Sequence, residues 1–244
     1  MPGGNVKEER PWWILVGGRH RLGRALAEGL APEHNLVLTS SRSWREEQPW
    51  IDELSTGTQV RTLCWDASDP GLVPQMMADL ERLGAEGIQF QSAVLVAGTF
   101  PEQAFGTWTS ESLLGILSLN LAFPMLAAQA LAPRIQDQGS LQFLLDTAIH
   151  RPMQKRLPYS AAKAGLAHLV PGLARLLAPR LRVAGHALGV LLPDAGSDAT
   201  ALAERNLLQT NGVPEDLLRA LRFVAESPYL TGEIITLDGG RRWA

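Results

Sequence analysis

The run Trp12-Trp13-Ile14-Leu15-Val16-Gly17-Gly18-Arg19-His20-Arg21-Leu22-Gly23-Arg24-Ala25-Leu26-Ala27 begins apolar, passes through a glycine-rich turn and ends in a helical pattern. In a strand–turn–helix unit, early glycines let the backbone come close to a pyrophosphate, and the last lets the helix pack tightly. The unpaired N–H groups and the dipole at the helix start favour an anion there. A glycine-rich turn alone is equally a plain loop, so its weight comes from its surroundings.

Those surroundings repeat the alternation. Short apolar runs at Trp12–Gly17, Leu36–Thr39, Gln59–Cys64, Ser92–Ala97, Ser140–Asp146, Arg182–Leu188 and Glu233–Leu237 read as strands covered on both faces. Helical patterns lie between them at Leu22–Leu30, Gly71–Leu83, Ser110–Leu131, Pro158–Leu177 and Pro214–Glu226. Pro124 should bend or restart the third of these. Strand and helix in alternation predict an α/β, Rossmann-like doubly wound parallel sheet of about seven strands. Proline and glycine are spread through the connections, so one domain is expected over residues 1–244.

Composition excludes several function classes. The chain has 244 residues, 45% hydrophobic and 19% charged, with a net charge of −3 and no basic run of the kind that binds nucleic acid. Cys64 is the only cysteine, so there is no internal disulfide framework and no cysteine-based zinc site. The five histidines lack metal-ligand spacing, and no metal site is expected. The opening MPGGNVKEER is polar, and the apolar run behind it is too short for a signal segment or a membrane span. The expectation is a soluble, cytoplasmic protein with residues 1–10 disordered.

The end of the second strand bears on the nucleotide. An NAD enzyme usually places an acid there for the ribose 2′-hydroxyl. Here the run is Thr39-Ser40-Ser41-Arg42-Ser43, with no carboxylate before Glu46. A guanidinium flanked by hydroxyls suits a 2′-phosphate, which points to NADPH, with Ser41, Arg42 and Ser43 as contacts. Asp66 after the third strand can accept from an adenine amino group or cap a turn.

Tyr159 and Lys163, four apart at the start of a helical stretch, share one helix face. A nearby ammonium favours phenolate, and a tyrosine so tuned is a general acid for a carbonyl or imine receiving hydride. The Gly17-x5-Gly23 turn, Asn120, Tyr159-x3-Lys163 and Leu237-Asp238-Gly239-Gly240 together resemble a short-chain dehydrogenase/reductase from about residue 12 to 240. The resemblance implies Tyr159 as proton donor, Lys163 binding the nicotinamide ribose and lowering the Tyr159 pKa, and Asn120 holding a relay water. It implies further cofactor contacts at Gly17, Arg19, Arg21, Leu22 and Gly23, at Asp66 and Ala67, at Ala97 and Gly98, and at Leu188 and Gly189.

Three departures resemble the pteridine reductase and dihydromonapterin reductase branch. Asp146 stands 13 residues before Tyr159, where the general pattern has serine. Arg21 replaces the middle glycine of the turn, in contact with cofactor phosphate and pterin. Phe100 follows Val96-Ala97-Gly98-Thr99, where the branch carries an aromatic that stacks on the pterin. As a plain structural residue, Asp146 would cap the loop after its strand. Val16 and Val96 replace a Thr and an Asn of the general pattern, and Leu188-Gly189 replaces Pro-Gly.

The expected activity is hydride transfer from NADPH to a dihydropterin, with dihydrofolate as a possible side substrate. The rivals are a ketone or 3-oxoacyl reductase and a non-catalytic NADPH sensor. Residues 194–211 read as a substrate lid, and the resemblance implies a homotetramer. Trp44-Arg45-Glu46-Glu47 reads as a solvated helix entrance. His150 has a substrate-loop role open to it. Arg241-Arg242-Trp243 is either a frayed end or a reach toward a neighbouring subunit.

Overall fold

The computed structural model describes residues 10–69, 71–193 and 196–244. Seven strands form one wholly parallel sheet in the order β3-β2-β1-β4-β5-β6-β7. They are β1 (Trp12–Val16), β2 (Asn35–Ser40), β3 (Val60–Cys64), β4 (Phe90–Leu95), β5 (Ile135–Asp146), β6 (Arg182–Leu188) and β7 (Ile234–Leu237). Each lies where an apolar run predicts it. β5 begins early, but its register with β6 starts at Ser140.

The helices are α1 (Arg21–Leu30), α2 (Gln48–Leu54), α3 (Leu72–Ala85), α4 (Ser110–Leu117), α5 (Phe123–Leu131), α6 (Leu157–Leu177), α7 (Ala199–Ala203) and α8 (Pro214–Glu226). Alternate residues of β1 serve opposite layers, as a pleated strand requires. Ile14 and Val16 pack with Met76, Leu80, Ala127, Leu166 and Val170 from α3, α5 and α6. Trp13 and Leu15 pack with Leu26, Leu30, Leu217 and Leu221 from α1 and α8.

Pro124 acts one turn earlier than a simple bend. It lacks the N–H that would bond the Asn120 carbonyl, and the helix opens into a π turn over Ser118–Ala122 before α5 begins. The stretch Ser110–Arg134 is long and apolar enough to cross a membrane by length and composition. Here it is divided by that turn and puts Phe123, Ala127, Ala128 and Leu131 into the core.

Two local expectations are corrected. The solvated entrance at Trp44–Glu47 holds for Arg45 and Glu46, which are exposed, but not for Trp44, which is 7% exposed, donates to Leu63 O at 2.8 Å and stacks on Trp50. It leads into α2, which the sequence pattern did not show. The turn after β7 is not frayed, since Arg241–Trp243 forms a 3-10 turn. The expected disorder of residues 1–10 falls outside the described residues except at Arg10, which donates to Ala31 O at 3.2 Å.

The sheet interior carries a linked set of polar groups, in which His186 Nδ1 alone is buried without a partner. The Gln142 amide donates to Ser92, Ser140 and Leu221 O, and its oxygen meets His186 Nε2 at 2.8 Å. Burial brings the His186 pKa down to about 4, so the ring is neutral. Arg182 gathers carbonyls at the end of α8. Its Nη1 donates to Val224 O and Ser227 O, and its Nη2 to Ala225 O and Gln138 O. Helix ends leave such carbonyls without partners. Arg182→Met should therefore cost about 3 kcal/mol, read as a lower urea midpoint at unchanged slope. An unchanged midpoint would show that water serves those carbonyls equally well.

Candidate active site

Strand order turns outward in both directions from β1 and β4, and such a reversal opens a crevice at the carboxyl ends of the strands. A cavity of about 1130 Å³ lies there, lined by Arg21, Leu22, Gly98, Phe100, Asn120, Asp146, Tyr159, Lys163, Leu188 and Gly189, among others. Sequence-predicted residues from six separate segments therefore meet in one place.

The turn after β1 has the shape of an anion cradle. Gly17 has φ +102°, and a Cβ there would lie 2.7 Å from Ala97 N. A Cβ on Gly23 would collide with Gly17 O. Arg21 adopts φ 47°, a left-handed conformation uncommon outside glycine, and so replaces glycine in conformation as well as position. Its Nη2 donates to Leu192 O at 2.8 Å. The N-cap His20 makes no side-chain cap bond and the first turn of α1 holds no acid, which leaves the helix start suited to phosphate. Val16 O accepts from both Val96 N and Ala97 N, so backbone joins the two loops where valines stand on either side. These groups fit a dinucleotide pyrophosphate.

The nucleotide's far end is less gathered. Ser41, Arg42 and Ser43 are exposed beyond β2 and do not line the cavity. The Arg19 side chain turns away from the cavity. It is 6% exposed, bonded to Ser43 O at 2.9 Å and paired with Glu46 at 3.3 Å and Glu47 at 2.7 Å. Asp66 Oδ1 accepts from Ser68 N and Ser68 Oγ, which makes a turn and pulls its pKa down. Ala67 packs against the core. Gly189 N donates to Leu237 O, and a Cβ there would meet Asp238.

The polar centre is compact. Asp146 ends β5 and accepts from Ala148 N at 2.7 Å through Oδ1 and from the Tyr159 hydroxyl at 3.0 Å through Oδ2. It is both the cap of the next turn and a partner of the phenol. Lys163, one turn along α6, donates to Leu144 O at 2.9 Å. Asn120 is fully buried in the π turn, where it donates to Ile116 O and Thr99 Oγ1 and accepts from Thr99 N. Gly98 makes room for it: a Cβ would lie 2.8 Å from Asn120 Oδ1 and 3.7 Å from Lys163 Nζ. Phe100 stands edge-on to Tyr159, ring centroids 4.9 Å apart.

The electrostatics correct one expectation. Burial, then the Asp146 charge and hydrogen bond, push the Tyr159 pKa up rather than down. The Lys163 ammonium is engaged with Leu144 O, 5.9 Å from the phenol ring centre, and the cation that opposes the rise is Arg156. Burial raises the Asp146 pKa against its hydrogen bonds, and burial lowers that of Lys163 to about 8 against the pull of Asp146. The centre is a neutral phenol whose hydroxyl donates to the Asp146 carboxyl group.

Sequence reasoning missed Thr99, the partner of Asn120, and Arg156, whose guanidinium lies 4.1 Å over the Phe100 ring and pairs with Glu102 at 2.9 Å. Neither carries a motif signal. His150 faces Thr236 and Arg242, and Arg241 and Arg242 line this chain's own cavity. No group of three or more metal-ligating side chains occurs among the described residues.

Residues 18–242 match a family model described as Enoyl-(Acyl carrier protein) reductase. A dihydromonapterin reductase of Citrobacter koseri is 25% identical over 238 residues, covering 93% of this chain and 95% of its own. Carbonyl reductase family member 4 of Danio rerio is 28% identical over 232 residues, covering 93% and 96%. A short-chain dehydrogenase/reductase structure from Serratia marcescens superposes with a TM-score of 0.86 at 23% identity, covering 96% and 98%. The chain belongs to the short-chain dehydrogenase/reductase family. That family is one of oxidoreductases, and Tyr159 and Lys163 stand one turn apart on α6 in the cavity.

The coupled charges make a direct check. The Lys163 ammonium should lose its proton with a midpoint of about 8, followed through its ε-carbon resonance by NMR. Asp146→Asn removes the charge that raises it, so the midpoint should fall. A midpoint near the ordinary lysine value of about 10.4 would show that the ammonium is not buried as described.

Proposed function

We propose that this protein is an NADPH-dependent reductase that converts a dihydropterin to its tetrahydro form. The observation that carries the reading is the Tyr159 hydroxyl donating to Asp146 in the floor of the cavity. A ketone reductase needs a hydroxyl to bond a carbonyl oxygen, which a carboxylate repels. A pterin presents N–H donors along its amino edge and a C=N bond, and these suit an adjacent carboxylate.

When bound, NADPH supplies the hydride to the ring carbon. The Tyr159 hydroxyl gives its proton to the neighbouring nitrogen, and the new N–H and C–H bonds replace the C=N double bond. Asp146 orients the phenol and returns a proton to it from solvent; burial, by raising its pKa, eases that exchange. Phe100 offers a π face to the flat heterocycle, and the Arg156 guanidinium holds that ring in place. Lys163 directs its remaining N–H donors to ribose hydroxyls, with Asn120 beside it. Gly17, Arg21, Leu22, Gly23 and the start of α1 hold the pyrophosphate; Ala97, Gly98, Leu188 and Gly189 enclose the nicotinamide half. Arg42, between Ser41 and Ser43, takes the 2′-phosphate, with Asp66 and Ala67 at the adenine. Arg19 supports the same choice by pairing with Glu46 and Glu47, the nearest carboxylates after β2.

Residues 196–211 with α7 form the outer wall as a lid; Asp194 and Ala195, the first two positions of the expected lid, lie outside the described residues. Exposed Leu114, Met125, Leu126 and Leu176 on α4, α5 and α6 support assembly of identical subunits, which we take as a homotetramer in the cytoplasm.

NADPH oxidation with 7,8-dihydromonapterin, dihydrobiopterin and dihydrofolate, beside a panel of ketones, tests the reading. Turnover on pterins should fall by about 10²–10⁴ in Tyr159→Phe and fall strongly in Asp146→Ser. Turnover on ketones alone, retained in Asp146→Ser, would replace the pterin reading with carbonyl reduction. Bound NADPH without turnover on any substrate would indicate a sensor. Arg42→Ala should cut the preference for NADPH over NADH by about 10–100-fold, since a charged hydrogen bond contributes roughly 1.5–3 kcal/mol. An unchanged preference would remove Arg42 from the 2′-phosphate.

A further inference from the structure

Outward from Asp146 and Tyr159 the cavity wall becomes basic. Arg151, Lys155 and Arg156 enter it from the connection after β5, Arg205 from the segment after α7, and Arg241 and Arg242 from the turn after β7. Two side-chain carboxylates face them from the described lining, Asp146 and Glu204; Asp146 is taken up by Tyr159 and Ala148 N, and the last residue, Ala244, adds a carboxyl oxygen taken up by Arg151. The whole chain is acidic, with a net charge of −3, so this concentration is local.

Most of these cations find neutral partners or none. Arg241 donates to Leu202 O and Asn206 Oδ1, each at 3.1 Å. Arg242 donates to Thr236 Oγ1 at 2.7 Å while its Nε is buried without an acceptor. Arg151 is the exception beside Arg156, since it donates at 2.8 Å to the carboxyl oxygen of the last residue, Ala244. Arg156 has Glu102, but Arg205 and Lys155 make no side-chain hydrogen bond or ion pair among the described residues. Arg205 and Arg151 lie close enough that their charges, after burial, hold the Arg241 pKa below its ordinary value. Gathering like charges in a low-dielectric cleft is unfavourable, and an anion brought among them relieves that repulsion.

Their place in the sheet separates them from the dinucleotide. Its phosphates are served at β1 and β2 by the α1 start, Arg21 and Arg42, whereas these cations come from the carboxyl ends of β5, β6 and β7. We infer that the substrate carries an anionic group, a carboxylate or a phosphate, on the end remote from its reduced ring, held by Arg151, Arg205 and Arg241. The inference rests on Asp146 and Tyr159 being the reducing centre, which puts the ring at the floor and the tail among the arginines.

The experiment compares 7,8-dihydroneopterin with its 3′-phosphate, and with 7,8-dihydrofolate as the carboxylate-bearing arm. The charged substrate should show kcat/KM at least about 10-fold above the neutral one, chiefly through KM. The ratio should shrink in 0.5 M NaCl and approach one in Arg205→Gln, an exposed side chain whose loss removes no contact that supports the fold. Preference for the phosphate or for dihydrofolate identifies the anion. Equal kcat/KM for neutral and charged substrates overturns the inference and leaves the pterin reading standing. Calorimetry of NADPH-saturated protein with inorganic pyrophosphate separates the two ideas. If no pterin turns over, yet pyrophosphate binds and Arg205→Gln weakens it at least 5-fold, the pterin reading falls and the anion site stands. Neither turnover nor pyrophosphate binding sinks both.

Discussion

The hydrogen bond from the Tyr159 hydroxyl to Asp146 is the contact around which the site is built. Both groups are largely withdrawn from water, so each needs the other as a partner. Their meeting requires a strand end and a helix start to be fixed within an ångström or so. The β5·β6 register and the packing of Leu166 and Val170 beneath α6 provide that rigidity. Ala148 N holds the second carboxylate oxygen, so Asp146 cannot rotate away from the phenol. Burial first, and then the Asp146 charge and hydrogen bond, raise the Tyr159 pKa and keep the proton on the phenol.

A second constraint comes from a backbone defect placed where it is useful. Pro124 withholds the donor that the Asn120 carbonyl would meet in a regular helix, and the chain widens into a π turn. That turn carries Asn120 into a fully buried position where Thr99 and Ile116 O satisfy its amide. Gly98 completes the arrangement, because a side chain there would occupy the space between Asn120 and Lys163. A helix irregularity, close packing and polar satisfaction thus act on the same few residues.

Charge is arranged by position along the sheet. At β2 a buried arginine, Arg19, engages Glu46 and Glu47 and leaves Arg42 without a competing acid. At β4 and β5 a carboxylate, a phenol and an ammonium share one buried pocket. From β5 to β7 the wall is cationic. Charge therefore alternates along the carboxyl edge of the sheet, basic beyond β2 outside the cavity, mixed at its floor and cationic on its outer wall.

The fold was legible because its information is local. Continuously apolar runs, helical periodicity and the Gly17–Gly23 turn each constrain a few consecutive residues, and their alternation admits few topologies. The Tyr159–Lys163 spacing likewise fixes one helix face. What the tertiary structure decided is everything that depends on distance through space. It turned Arg19 toward Glu46 and Glu47, buried Trp44 beside Trp50, and folded Arg241 and Arg242 back into the chain's own cavity. It set Arg156 over Phe100, and it bound the Lys163 ammonium to a carbonyl so that burial and Asp146, rather than Lys163, govern the phenol. Interaction energies and pKa values follow from the separation and burial of groups far apart in sequence, and no run of residues encodes them alone.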